Sequence, residues 1–280
     1  MSAGAGDQAA GLRARVARAR GRVVAVTSGK GGVGKTALAA SLGLELARRG
    51  RKVVLLDGDL GLANLAILFN VSPRRDLSHV VAGRARLADC AVPLRPGLVL
   101  LPAGTGVAEL AELASPARQA LLAEVSALAA DADCLLVDTG AGIAATVLAL
   151  LGLADRILLV TTPEPTALSD AYGLLKAAGE RATRAELVVN LVTTAAQARQ
   201  THERLARLTE RFLGFAPPLA AVIPRDEAVA EAVLRQEPLT VVYPYAPATR
   251  AIAALARRLD PSPGTHDATP SVPLAVPVRR

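Results

Sequence analysis

Short, continuous apolar runs alternate along the chain with longer segments of helical period. The runs are Val23–Val26, Val53–Leu56, Leu98–Leu101, Cys134–Val137, Ile157–Val160, Leu187–Val189 and Leu219–Ile223. Strands that are apolar throughout have no face for water, so they fit a parallel sheet covered by helices on both sides. The segments between them carry helix signals. Thr36–Arg49 closes on two arginines followed by Gly50, and Ser115-Pro116 supplies an N-cap and a first-turn proline for Ala117–Ala130. The pattern predicts an α/β fold: a doubly wound, mostly parallel sheet of about seven strands over residues 22–259, with helices on both faces. Residues 1–21 read as a basic arm. Residues 260–280 hold five of the 18 prolines and read as a disordered tail.

Composition narrows the class. Of 280 residues, 51% are hydrophobic, enough for the core of one large domain. The longest stretch without a charge, Thr139 to Ala154, is shorter than the roughly 20 apolar residues of a membrane span, and the first residues do not read as a signal peptide. Cys90 and Cys134 match no metal or redox spacing, so a reducing, cytoplasmic compartment is expected. The net charge of +7 suggests nucleic acid. However, five arginines and one aspartate lie in residues 1–22, and four arginines and two aspartates in residues 257–280, which leaves the body nearly neutral. Its few scattered aromatics, Phe69, Tyr172, Phe212, Phe215, Tyr243 and Tyr245, make no base-stacking platform. Nucleic acid is therefore not the expected partner. Only four basic residues are lysines (Lys30, Lys35, Lys52 and Lys176), and two of these share one loop.

That loop is Gly29-Lys30-Gly31-Gly32-Val33-Gly34-Lys35-Thr36, a full G-x-x-x-x-G-K-[ST] match between a predicted strand and a predicted helix. Its glycines let backbone N–H groups converge on phosphate oxygens, and the helix adds the positive end of its dipole. Lys35 reaches the β- and γ-phosphates, and Thr36 offers a hydroxyl to Mg²⁺. Carboxylates follow at strand ends. Asp57 and Asp59 lie in Asp57-Gly58-Asp59-Leu60-Gly61-Leu62-Ala63-Asn64, and Asp138 lies in Asp138-Thr139-Gly140-Ala141-Gly142-Ile143. Such positions face the ligand crevice of an open α/β sheet.

With Lys30 as a second lysine, the loop resembles that of the deviant Walker A ATPases of the MinD/ParA superfamily. The resemblance implies ATP and Mg²⁺ as ligands and a homodimer that forms with ATP, in which Lys30 crosses to the partner's nucleotide. It implies that Asp59 positions the hydrolytic water, that Asp57 lies near the magnesium with Thr36 and Asp138, and that turnover is slow. Glu164, in Thr162-Pro163-Glu164-Pro165-Thr166, would reach the partner's ribose or signature lysine, with Asp170 supporting the interface. Asn190 and Pro224-Arg225-Asp226 match positions that contact adenine.

The longer phrases are similar to those of the FlhG (FleN/YlxH) group, MinD-like ATPases that control flagellar number and placement. Asp7-Gln8-Ala9-Ala10-Gly11-Leu12-Arg13 is similar to the segment through which that group stimulates the GTPase of its partner FlhF, giving Asp7, Gln8, Ala9, Leu12 and Arg13 as partner-binding residues. Flagellar switch proteins or a flagellar transcription regulator are further implied partners, in the cytoplasm, at the cell pole or at the membrane periphery. Some positions depart from the pattern: Ala66 replaces an aspartate, Asn70 replaces a glycine, and Gly11 weakens the supposed N-terminal helix by about 1 kcal/mol relative to alanine. Many relatives end in a lipid-docking amphipathic helix, but the prolines after Asp260 exclude one there. Thr249–Leu259 is expected to pack on the domain as its last helix. Two alternatives are a ParA-type DNA-partitioning ATPase and an iron–sulfur carrier with the same loop; the second lacks suitably placed cysteines.

Overall fold

The computed structural model describes residues 22–59, 64–104 and 115–260. Its centre is an eight-stranded sheet ordered β3-β4-β2-β5-β1-β6-β7-β8, with β1 Arg22–Ser28, β2 Val53–Gly58, β3 Val92–Arg95, β4 Leu98–Leu101, β5 Cys134–Ala141, β6 Arg156–Thr161, β7 Ala185–Val192 and β8 Leu219–Pro224. Each run expected from the sequence is a strand, and all seven pair in parallel. The eighth, β3, pairs antiparallel with β4 at the sheet edge. Sequence reading missed it because Pro93 interrupts the apolar pattern and Arg95 lies exposed. Those same residues suit an edge, where proline removes a donor and a charge discourages pairing with another chain.

The pleat divides the core in two. Val23 and Ala25 of β1, Leu135 and Val137 of β5, and Leu187 and Val189 of β7 pack on one face. Val24, Val26, Leu136 and Val188 pack on the other. The helices are α1 Lys35–Arg48, α2 Asn64–Leu68, α3 Leu77–Val81, α4 Ser115–Ala130, α5 Ala145–Leu153, α6 Pro165–Ala178, α7 Ala195–Leu213, α8 Glu227–Leu234, α9 Leu239–Val242 and α10 Pro247–Leu259. Helices α4 to α7 cover the first face, and α1 and α8 to α10 cover the second. In α10, Ile252, Leu255 and Leu259 are buried against this second layer, as expected for a last helix packed on the domain. Asp260, placed in the tail by sequence reading, is instead tied to the domain through Arg49 Nε at 2.8 Å and Arg51. Among the described residues, no helix is long and apolar enough to cross a membrane.

Strand order reverses around β1, which lies between β5 and β6 while its own crossover leads to β2. The crevice beyond the carboxyl ends of β1, β2 and β5 is therefore where such a sheet offers a ligand site.

Candidate functional site

The phosphate loop begins where β1 ends and runs into α1. Its curvature requires glycine at two points: Gly32 has φ +76° and Gly34 has φ +92°. Gly29 is required by space instead, since a Cβ there would lie 2.1 Å from the backbone carbonyl of Asp170 in α6. Gly31 faces open space. The first turn of α1 carries no acidic residue, so its free N–H groups and dipole are left for an anion. Lys35 is the first residue of α1 and is buried at 8% exposure. Burial lowers its pKa, while Asp138 and Asp59 oppose that shift by favouring the ammonium.

Opposite the loop, the register of β2 and β5 sets Asp57 beside Asp138, both essentially inaccessible. Asp57 accepts the backbone N–H groups of Asp59 and Leu65, each at 3.2 Å. Burial, followed by the neighbouring Asp138, pushes its pKa well above the carboxylate range. Burial likewise lifts Asp138 to about 7, against the opposing influence of the Thr36 hydroxyl and Lys35. Thr36 is close enough to act on Asp138, yet neither Asp138 oxygen has a partner in good hydrogen-bond geometry. Two buried carboxylates side by side, one with both oxygens free, are costly unless a cation joins them. Among the described residues, no three His, Cys, Asp or Glu side chains gather as a complete metal cage. Magnesium does not need one, because it is held by one or two carboxylates and completes its shell with phosphate, water and other hard oxygens. The hard oxygens of Asp138, Asp57 and Thr36 fit that ion.

The ends of β1 and β5 are fastened together. Thr139 Oγ1 donates to Thr27 Oγ1 at 2.8 Å, and the N–H of Gly142 donates to the Ser28 carbonyl at 2.9 Å. Asp59 lies beside this turn: a Cβ on Gly140 would stand 3.7 Å from Asp59 Oδ1. Residues 60–63, which continue the phrase after Asp59, lie outside the described residues, as do Asp7, Gln8, Ala9, Leu12 and Arg13. Ala66, where an aspartate was expected, is buried in the core, which a methyl suits and a lone carboxylate would not.

Lys30 points along the loop to the start of α6. Its Nζ donates to Glu164 Oε2 at 2.7 Å and to Thr166 Oγ1 at 3.0 Å. The Lys30 hydrogen bond and charge, aided by Arg225, hold Glu164 below the usual carboxylate range. Thr166 was not singled out as a site residue from the sequence; an alcohol two positions after Glu164 was the available signal. Asp170 is exposed on α6, and its carbonyl packs on Gly29. Asn190, at the end of β7, donates from Nδ2 to the Val33 carbonyl at 2.8 Å. Pro224 ends β8. Asp226 caps α8 through the Ala228 N–H at 3.1 Å and also accepts the Ala248 N–H of α10 at 3.0 Å, so its carboxylate joins two helix starts.

Comparison with known proteins agrees with this geometry. Residues 24–239 match the CobQ/CobB/MinD/ParA nucleotide binding domain. The chain is 37% identical over 244 residues to the antiactivator FleN of Pseudomonas aeruginosa, covering 86% of this chain and 87% of FleN. It is 35% identical over 189 residues to the flagellum site-determining protein YlxH of Helicobacter pylori, covering 68% and 64% of the two chains. The septum site-determining protein MinD of Pyrococcus horikoshii, solved with Mg-ADP, superimposes with a TM-score of 0.74 at 26% identity, over 85% of this chain and 96% of MinD. The fold, the doubled-lysine loop and these similarities together show that the chain belongs to the MinD/ParA family of P-loop nucleotide-binding proteins, on its FleN/YlxH flagellar branch.

Proposed function

We propose that this chain is a Mg²⁺-dependent ATPase that works as a dimerisation switch controlling flagellar number and placement. The observation that carries the reading is the meeting of a complete phosphate loop with two buried carboxylates, one of which leaves both oxygens unpartnered. Asp138, Asp57 and Thr36 would hold a magnesium ion there, which would supply positive charge to the β- and γ-phosphates. In this reading Lys35 and the loop N–H groups bind the phosphates. Asp59, less buried and beside the β5 turn, orients a water in line with the γ-phosphorus. The water's oxygen forms the new bond, the bond to the β-phosphate oxygen breaks, and ADP and phosphate leave.

Lys30 exchanges its own Glu164 for the nucleotide of a second copy, and Glu164 and Asp170 then face that copy. Asn190, Pro224 and Asp226 border the base. The Mg-ADP in the Pyrococcus MinD structure supports the choice of nucleotide and ion. The names antiactivator and flagellum site-determining protein support a flagellar transcription regulator or flagellar switch proteins as partners. Residues 1–21 would act on FlhF, working in the cytoplasm, at the pole or against the membrane. The test is FlhF GTP turnover with a peptide of residues 1–21. Stimulation that is lost with Gln8→Ala supports the flagellar role, and no stimulation removes FlhF from the account.

A further inference from the structure

Asn190 does something at this site that a base contact would not require. It is 8% exposed, and both ends of its amide are engaged. Nδ2 donates to the Val33 carbonyl inside the protein, and Oδ1 accepts the Leu191 N–H at 2.9 Å. The backbone is bent to aim it. The register between β7 and β8 shifts between Val189 and Val192, and Leu191 takes a left-handed φ of +58°, which a leucine adopts only at a cost. On the other side, a Cβ on Gly34 would lie 2.4 Å from Asn190 Nδ2, so the amide fills space that only glycine leaves. Val33 itself lies between Gly32 and Gly34, the two loop residues with positive φ, where the backbone has the most freedom to change shape.

We propose that Asn190 is a positioning residue for the phosphate loop: it holds the Val33 carbonyl, and so the shape of the phosphate cradle, from the end of β7, whatever base the nucleotide carries. The proposal rests on the reading of the loop as an ATP site and adds to Asn190 a role separate from adenine recognition. A bulged strand holds the amide, and the amide fixes the loop carbonyl that lies between the two glycines of positive φ. Without it, that buried carbonyl loses its partner and the loop N–H groups lose their common aim.

The test compares the full-length protein with Asn190→Ala in the binding of Mg²⁺ complexes of ATP, GTP and inorganic tripolyphosphate, which has no base. Hydrogen exchange of the nucleotide-free proteins is followed in parallel. The expected result is a loss of roughly tenfold for all three ligands alike, with faster exchange confined to residues 29–36 and to the Leu191 N–H, which loses its own acceptor. Unchanged tripolyphosphate binding with weakened ATP binding and a relaxed preference over GTP would overturn the proposal in favour of base reading. Faster exchange throughout the sheet would overturn it in favour of a general packing role. If Asn190→Ala does not accumulate as folded protein, Asn190→Ser, polar but too short to reach Val33, is held to the same outcomes. A wild-type chain that binds neither ATP nor tripolyphosphate would instead fail the ATP-site reading, and the exchange pattern would still judge Asn190.

Discussion

Lys30 and Glu164, 134 positions apart in the chain, meet through a 2.7 Å ion pair, with the Thr166 hydroxyl as the lysine's second acceptor at 3.0 Å. The pair joins the phosphate loop to the start of α6, and both side chains remain partly open to solvent, at 38% and 60% exposure. Water screens such a pair, so it adds little to stability and is readily exchanged for another partner. These properties suit the proposed dimer, in which Lys30 would change partners as two subunits close.

Lys30→Ala is therefore expected to leave the melting temperature and the ATP affinity of the monomer nearly unchanged, the latter within about threefold. The ATP-dependent dimer should disappear in analytical ultracentrifugation. A Lys30→Ala chain that dimerises as well as wild type would show that the lysine stays on its own subunit.

The glycines of the loop differ in what they tolerate. Gly29→Ala drives a methyl into the Asp170 carbonyl, 2.1 Å away, and α6 must move back. Thermal unfolding should report a loss of about 1–3 kcal/mol, together with weaker nucleotide binding. Gly31→Ala meets nothing within 4 Å and should melt like wild type.

Asp138→Asn is expected to abolish the gain in nucleotide affinity that magnesium provides, while leaving binding in EDTA close to that of wild type. The amide keeps the shape of the carboxylate but removes the charge that the ion requires. Calorimetric titrations with and without magnesium check this, and an unchanged magnesium increment would count against Asp138 as the ion's neighbour.

Asp260 provides a pH test far from the site. Burial alone would raise its pKa, but hydrogen bonds from Arg51 and Arg49 outweigh burial and hold it below its ordinary 3.8. A carboxylate whose pKa is depressed by folding stabilises the fold above its unfolded pKa, and that contribution fades as pH falls through the folded value. Asp260→Asn should cost at most about 1 kcal/mol near neutrality, with solvent screening setting the limit. Denaturant titrations should show the difference from wild type narrowing as pH drops below about 4. A gap that stays constant down to pH 2 would contradict the ion-pair account.

The sequence made the sheet legible wherever both faces of a strand are buried, because Val53–Leu56 or Ile157–Val160 could hardly be anything else. It hid β3, where Pro93 and Arg95 suit an edge and break the apolar run. Motif spacing placed Lys35, Thr36, Asp57 and Asp138 around one crevice, since each lies in the carboxyl-terminal half of a strand or in the first turn of a helix and the topology does the rest. What depends on side-chain reach was not legible. That Thr166 would share Lys30, that Asp226 would join two helix starts, or that Asn190 would hold Val33 follows from distances across 22 to 157 positions, which no local pattern encodes.

The central claim, a switch closed by ATP and opened by hydrolysis at Asp59, is most directly tested by following the oligomeric state over time after adding Mg-ATP to wild type and to Asp59→Ala. The account expects a monomer with ADP, a transient dimer with ATP, and an Asp59→Ala dimer that persists while turnover falls by roughly a hundredfold or more. A chain that stays monomeric with ATP, or an Asp59→Ala dimer that decays as fast as wild type, would contradict it.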